Sequence, residues 1–195
     1  MNFITLGPAG SNHEVVTHRY LDLHGIRERA SVALTRDFEQ GAQSVLDGSA
    51  DFLVQCAVHP ATGPTVARFF DGLYVIDTFI SASQDLAIIQ RNDVERPLSL
   101  AAMRPTLDYI ERGQWERIEL VDTVAEVTEG LAQGTYEAGL GYASIVQAHA
   151  ERLRVVQFIG TVDDAWLVYG RTRLSEGRIT AWRDSPAGRV FRREA

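Results

Sequence analysis

Lysine is absent from this chain of 195 residues, and all 19 basic residues are arginine. No mechanism that needs a lysine amine is open to it, which excludes a pyridoxal phosphate Schiff base and a complete P-loop. The single cysteine, Cys56, rules out an internal disulfide and a cysteine-based zinc site. It lies in the apolar run 51–58, where an inert buried thiol is expected. No histidines with acidic neighbours have metal-ligand spacing, so no metal is expected. Long apolar runs are missing too, and no segment is expected to span a bilayer. Residues 1–6 carry no basic stretch and pass straight into Gly7-Pro8, unlike a signal peptide, so a cytoplasmic location is expected. Positive charge is scarce: 26 acids leave a net charge of -7, with no basic stripe, and nucleic acid is not an expected partner.

What is present is an ordinary globular composition, 45% apolar and 23% charged. Short apolar runs alternate with helical patterns, the signature of an α/β fold. Strands are expected at 2–6, 31–35, 51–56, 73–81 and 85–90, and helices at 11–24, 37–46 and 62–70. Ser11 and Glu14 have capping-box spacing, and Gly48 closes the second helix. The polar stretch 91–97 reads as a crossing into a second lobe. That lobe is expected to hold helices at 106–112, 123–132 and 143–152, and strands at 118–121, 138–141 and 155–159, before a last strand at 165–169.

Two α/β lobes joined by crossings imply a cleft, and ligands in such folds bind where strands deliver helix N-termini. Three strand-to-helix junctions offer amides and hydroxyls to an anion: 7–12, with Gly10, Ser11 and Asn12; 59–63, with His59, Thr62 and Gly63; and Asp122-Thr123. Ser11, Thr62 and Thr123 also suit plain N-caps. Without lysine, the side-chain anchors for a carboxylate reduce to arginines such as Arg36, after the second strand, and Arg104, before Pro105-Thr106.

The opening Ile4-Thr5-Leu6-Gly7-Pro8-Ala9-Gly10-Ser11 with Glu14 resembles the start of prephenate dehydratases, whose first strand leads into Gly-Pro-x-Gly-Thr. Later segments fall in the same order. Residues 51–63 resemble the dehydratase strand and loop Val-Pro-Ile-Glu-Asn-Ser, and 122–127 resemble the Ser-Thr-x-x-Ala-x-x-Val helix start. Residues 138–148 resemble the following strand and helix, and 166–171 the strand after the Thr-Arg-Phe motif. The resemblance covers about residues 2–171. It implies a two-lobed, periplasmic-binding-protein-like α/β fold with a cleft between lobes: lobe one at about 1–90 plus 160–171, lobe two at about 91–159. Residues 172–195 then form a basic tail. Residues 171–195 hold seven arginines and three acids, against twelve arginines and 23 acids in 1–170. The tail is expected to pack on the acidic body or on a partner subunit.

Two departures redirect the resemblance. Where a dehydratase carries Thr-Arg-Phe, this chain has Asp164-Ala165-Trp166, and where it carries Glu-Asn-Ser, this chain has His59-Pro60-Ala61-Thr62. Both make the chain similar to the non-aromatising prephenate decarboxylases of the bacilysin pathway, which lack the threonine-arginine-phenylalanine motif. The resemblance implies cofactor-independent loss of CO2 from prephenate, giving a dihydro-4-hydroxyphenylpyruvate. His59, Asp164 and Trp166 are the implied catalytic group: His59 as general acid, Asp164 as an acceptor or proton donor beside Asp163, and Trp166 as apolar wall or core. Gly10, Ser11, Asn12, Arg36, Thr62, Gly63, Arg104, Thr106 and Thr123 are the implied substrate-binding set. His13 reads as a surface residue. A small dicarboxylate is the expected partner, and family members are often dimers, which makes a homodimer an expectation. A dehydratase with an altered motif, and a cytoplasmic carboxylate-binding module without catalysis, stand as the alternatives.

Overall fold

The computed structural model describes residues 1–182 together with Ser185, Ala187, Arg189 and Arg192. Two five-stranded mixed sheets form two lobes. The first is built from β1 (Asn2–Leu6), β2 (Ser31–Thr35), β3 (Phe52–Cys56), β4 (Tyr74–Ala82) and β10 (Asp163–Gly170), in the order β2-β1-β3-β10-β4. The second contains β5 (Leu86–Arg91), β6 (Ser99–Met103), β7 (Arg117–Val121), β8 (Ala138–Tyr142) and β9 (Leu153–Gly160), in the order β7-β6-β8-β5-β9. In the first sheet β2, β1 and β3 run parallel and β10 antiparallel to β3; in the second β7, β6 and β8 run parallel and β5 antiparallel to β8.

The near-continuous apolar runs follow from helices covering both sheet faces. In lobe one, Phe3, Val54, Trp166 and Val168 pack with Val16 and Leu21 of α1 (Asn12–Leu23). Their neighbours Ile4, Leu53 and Tyr169 turn to the other face and meet Phe38, Ala42 and Val45 of α2 (Phe38–Asp47). α3 (Thr62–Phe69) lies beside α2. In lobe two, α4 (Val124–Gln133) gives Val124 to the face holding Leu86 and Ile88, and Val127 and Leu131 to the face holding Ala87 and Ile89. The short α5 (Ile145–Ala148) completes that lobe. Gly48 and Gly134 close α2 and α4 with positive φ of 86° and 83°, a conformation that favours glycine.

Four expectations are corrected. The crossing into lobe two lies at 83–85, not 91–97, because β5 pairs with β8 and β9 and so belongs to the second sheet. β6 escaped the sequence reading: its Ala101 and Ala102 are buried, but small residues give little strand signal. Residues 106–112 form no α-helix; Pro105 opens a 3-10 turn over Arg104–Tyr109, and Ile110 returns to extended backbone. The helix at 143–152 shrinks to α5, because the His149 carbonyl takes the amides of Arg152 and Leu153 and turns the chain into β9. Of the basic tail, residues 183, 184, 186, 188, 190, 191 and 193–195 lie outside the described residues. Up to Trp182, which is 70% exposed, the tail shows its apolar side chains to solvent, Ile179 at 95%. Among the described residues no helix is long and apolar enough to cross a membrane.

Close approach of α4 to β8 rests on Gly139, where a Cβ would come 2.5 Å from Val127 Cγ1 and 3.3 Å from the Ala101 carbonyl. Gly139→Val is expected to cost about 1–3 kcal/mol of stability in urea unfolding, through overpacking.

Candidate functional site

A cleft of about 490 Å³ opens between the lobes. Lobe one lines it with the β1–α1 loop and first turn (Leu6, Gly7, Ser11, Asn12, His13), the β3–α3 loop (Cys56, Val58, His59, Pro60) and Asp164 of β10. Lobe two contributes Met103, Arg104, Thr106, Tyr109, Leu120, residues 121–124 and Tyr142, and the crossing strands add Ser83, Gln84 and Val162.

Of the residues singled out in the sequence, Ser11, Asn12, His59, Arg104, Thr106, Thr123 and Asp164 line this cleft. Gly10, Arg36, Thr62, Gly63 and Trp166 do not. The Gly10 amide donates to Glu14 Oε2 at 2.6 Å, so the carboxylate of its own helix occupies it. Arg36 follows β2, the outermost strand, whereas the cleft is lined from β1, β3 and β10. Thr62 donates from Oγ1 to the Cys56 carbonyl at 2.8 Å, closing the β3–α3 turn, while Ala61 stands at the N-cap. Gly63 is exposed in the first turn of α3. Trp166 is 0% exposed in the core under α1, and its indole N–H donates to the Ser81 carbonyl at 3.4 Å.

Trp166 nevertheless shapes the cleft through His13. The His13 ring sits 5.1 Å from the Trp166 ring, 5.3 Å from Phe38 and 5.7 Å from His59, and His59 packs 4.9 Å from Phe38. Two imidazoles therefore share one aromatic nest at the cleft wall. The sequence reading put His13 at the surface; only the packing of α1 on β10 turns it inward. The Cys56 amide donates to His13 Nε2 at 3.4 Å, and the Ala61 amide donates to His59 Nδ1 at 3.1 Å. Both rings thus accept at one nitrogen, and neutral His59 carries its hydrogen on Nε2. Burial, and then the neighbouring His59, push the His13 pKa down to about 3. Burial also lowers the pKa of His59. Desolvation pushes the Cys56 thiol up to about 11, which keeps it protonated and agrees with the inert thiol expected.

A hydrogen-bonded chain crosses the floor. Ser83 donates its hydroxyl to Asp164 and accepts from Asn12 Nδ2 at 2.8 Å. Asn12 Oδ1 accepts from the Gln84 amide at 3.1 Å, and the Asn12 amide donates to the Tyr142 hydroxyl of lobe two at 3.1 Å. Asp163 and Asp164 cannot share a proton, since successive strand residues face opposite sides of the sheet. Ser83, Gln84, Tyr109 and Tyr142 had no sequence signal beyond lying at element ends. Thr123 caps α4, accepting from the Glu126 amide at 3.0 Å. The amides of Val124 and Ala125, in that first turn, have no carbonyl within the helix to bond. Arg104 is the one guanidinium among the described residues lining the cleft; Asp122 follows the neighbouring strand of the same lobe, and Asp164 comes from lobe one. Among the described residues no group of acids, histidines and cysteine could hold a metal ion.

No family model and no curated protein matches the chain. Solved structures do. A prephenate dehydratase from Arthrobacter aurescens, in complex with L-Phe, superposes over 92% of this chain at 16% identity with a TM-score of 0.64. The prephenate dehydratase of Staphylococcus aureus covers 89% at 12% identity, with a TM-score of 0.62. The fold is that of these dehydratases. It is also that of a periplasmic domain of Bordetella pertussis BvgS, which matches 87% of the chain at 14% identity and a TM-score of 0.51. The chain spans 63% of the length of the Arthrobacter dehydratase and 67% of the Staphylococcus dehydratase. The two-lobed binding-protein-like architecture expected from the sequence is thus the observed one.

The buried rings give two expectations. The folded His13 binds its proton only near pH 3, whereas the unfolded residue does so near 6.5. The unfolded state therefore takes up more protons between these values, and stability falls as pH falls through that window. At pH 4 the loss from this group is about 3 kcal/mol, and His13→Gln should flatten the decline between pH 7 and pH 4 in urea unfolding. Trp166→Ala should cost about 3–5 kcal/mol of stability, as befits a core ring rather than a cleft wall.

Proposed function

We propose that the cleft binds prephenate and removes its ring carboxylate as CO2 without aromatising the ring, as in the non-aromatising decarboxylases that the sequence resembles. Charge carries this reading: one guanidinium, two carboxylates and two neutral imidazoles line a cleft made for a small ring. Arg104 takes the pyruvyl carboxylate, bidentate, with the amides of Val124 and Ala125 at the head of α4 beside it. The ring carboxylate has no second cation, and Asp122 and Asp164 repel it. Loss of CO2 disperses that charge, so the repulsion is relieved toward the transition state.

The bond between the ring carbon and the carboxylate breaks, and its electron pair enters the ring diene. A proton from His59 Nε2 adds to a ring carbon, and the ring hydroxyl stays in place. Prephenate and one proton become CO2 and a dihydro-4-hydroxyphenylpyruvate. Retention of the hydroxyl is supported by Asp164: it is an acceptor fixed by the Ser83 hydroxyl, at the position where the resemblance places the dehydratase threonine. His59 is neutral in the empty cleft; the incoming carboxylates raise its pKa, the second proton goes to Nδ1 in place of the Ala61 amide bond, and the imidazolium gives up its Nε2 hydrogen to become the neutral Nδ1-H ring. The expected setting is a cytoplasmic enzyme of secondary metabolism whose catalytic domain spans 1–171.

Incubation with prephenate followed by NMR tests this. A dihydro-4-hydroxyphenylpyruvate is the expected product; phenylpyruvate would make the protein a dehydratase, and unchanged prephenate a binding module. Arg104→Ala should raise KM about tenfold to a hundredfold. His59→Gln should lower kcat by about 10²–10⁴. The pH profile has a set direction. Burial holds the free His59 pKa below 6.5, so its protonated fraction and kcat/KM rise as pH drops from neutral past that value. In the complex the substrate's charge raises the pKa, so kcat levels off at a higher pH than kcat/KM does. Superimposable profiles would remove His59 from the role of acid.

A further inference from the structure

A second cavity lies in lobe one on the sheet face away from α1, outside the cleft just described. It is an open groove of about 250 Å³ between α3, the start of β4, the end of β10 and the first residues after it. Tyr169 stands on β10 five residues beyond Asp164, about 17 Å at the rise of a strand. The walls are apolar: Val66 and Phe70 from α3 and its end, Leu73 just before β4 and Val75 within it. Phe70 is 72% exposed.

Two donors accompany these walls. The Tyr169 side chain is 1% exposed, yet its hydroxyl has no hydrogen-bond partner. A buried unmet hydroxyl costs about 1–3 kcal/mol, so it marks a place where a partner is missing. Burial pushes the Tyr169 pKa up to about 12, which leaves the hydroxyl a donor. Arg173 lines the same cavity and makes no ion pair among the described residues, whereas Arg171, two residues earlier, is held by Asp51 and the Val45 carbonyl. Ser175 adds a hydroxyl at the rim. Behind the floor, Gln55 bonds the Thr65 hydroxyl through Nε2 at 3.3 Å and leaves Oε1 unmet.

We infer that this cavity is a second ligand site, built for a small carboxylate with an apolar or aromatic body. The guanidinium of Arg173 and the hydroxyl of Tyr169 take the carboxylate, and Val66, Phe70, Leu73 and Val75 enclose the body. The volume is slightly under the range of about 300–1,000 Å³ typical of drug-sized sites, and suits a single ring on a short acid chain. The site does not depend on the activity assigned to the cleft.

The probe is 3-phenylpropanoate, titrated into the full chain and followed by saturation-transfer NMR and by shifts of the Arg173 side-chain and Tyr169 amide signals. Because the cleft also suits a carboxylate, binding is compared among variants. Binding that persists in Arg104→Ala, weakens about tenfold in Arg173→Gln and at least about threefold in Tyr169→Phe supports the site. Tyr169→Phe removes no bond within the protein, so its fold should be intact by circular dichroism. Binding that vanishes in Arg104→Ala, that ignores both lobe-one changes, or that is absent at about 10 mM probe overturns the inference.

Discussion

Asn12 is the point on which the arrangement of the cleft depends. It opens α1 in lobe one, yet its amide is bonded to the Tyr142 hydroxyl of lobe two, and its side chain holds both Ser83 and Gln84 of the crossing. Ser83 in turn fixes Asp164. One residue at a helix start therefore ties the lobes together through its backbone amide, and through its side chain fixes the path of the crossing and the orientation of a cleft carboxylate. Such networks are worth most where water is sparse, and each bond polarises the next.

Burial does comparable work on the opposite wall. Packing of α1 and α2 against the two faces of sheet one leaves His13 between Phe38, Trp166 and His59, where a charged imidazole is poorly solvated. Backbone amides from the β3–α3 segment bond to both rings and fix which nitrogen accepts. Under the proposed function, two neutral histidines and one cleft guanidinium leave the substrate's own negative charge to complete the electrostatics. The acidic balance of the chain and its lack of lysine fit the same picture, since carboxylate anchors come only from arginine and from amides at helix starts.

Much of the architecture was legible in the residues. Apolar runs such as 51–56 and 85–90 read as strands, and the capping pair Ser11 with Glu14 and the N-cap Thr123 mark helix starts that the structure keeps. The failures are local and have causes. β6 is made of small residues, α5 is cut short by a turn at His149, and β5 belongs to the lobe that its own sequence cannot name. Of the residues that follow a strand, those after central strands, such as His59 and Ser11, line the cleft. Arg36, after an edge strand, does not line it.

The sequence by itself determined the alternation of strands and helices, the three junctions that deliver polar groups, and the restriction of anchors to arginine and amides. These depend on neighbours a few residues apart. Tertiary structure decided that Trp166 supports His13 from behind, that Asp163 and Asp164 part to opposite faces, and that Asn12 reaches Tyr142 across 130 positions of chain. Strand order and the packing of helices on sheets bring such residues together, and both arise from burying apolar faces of the whole chain at once.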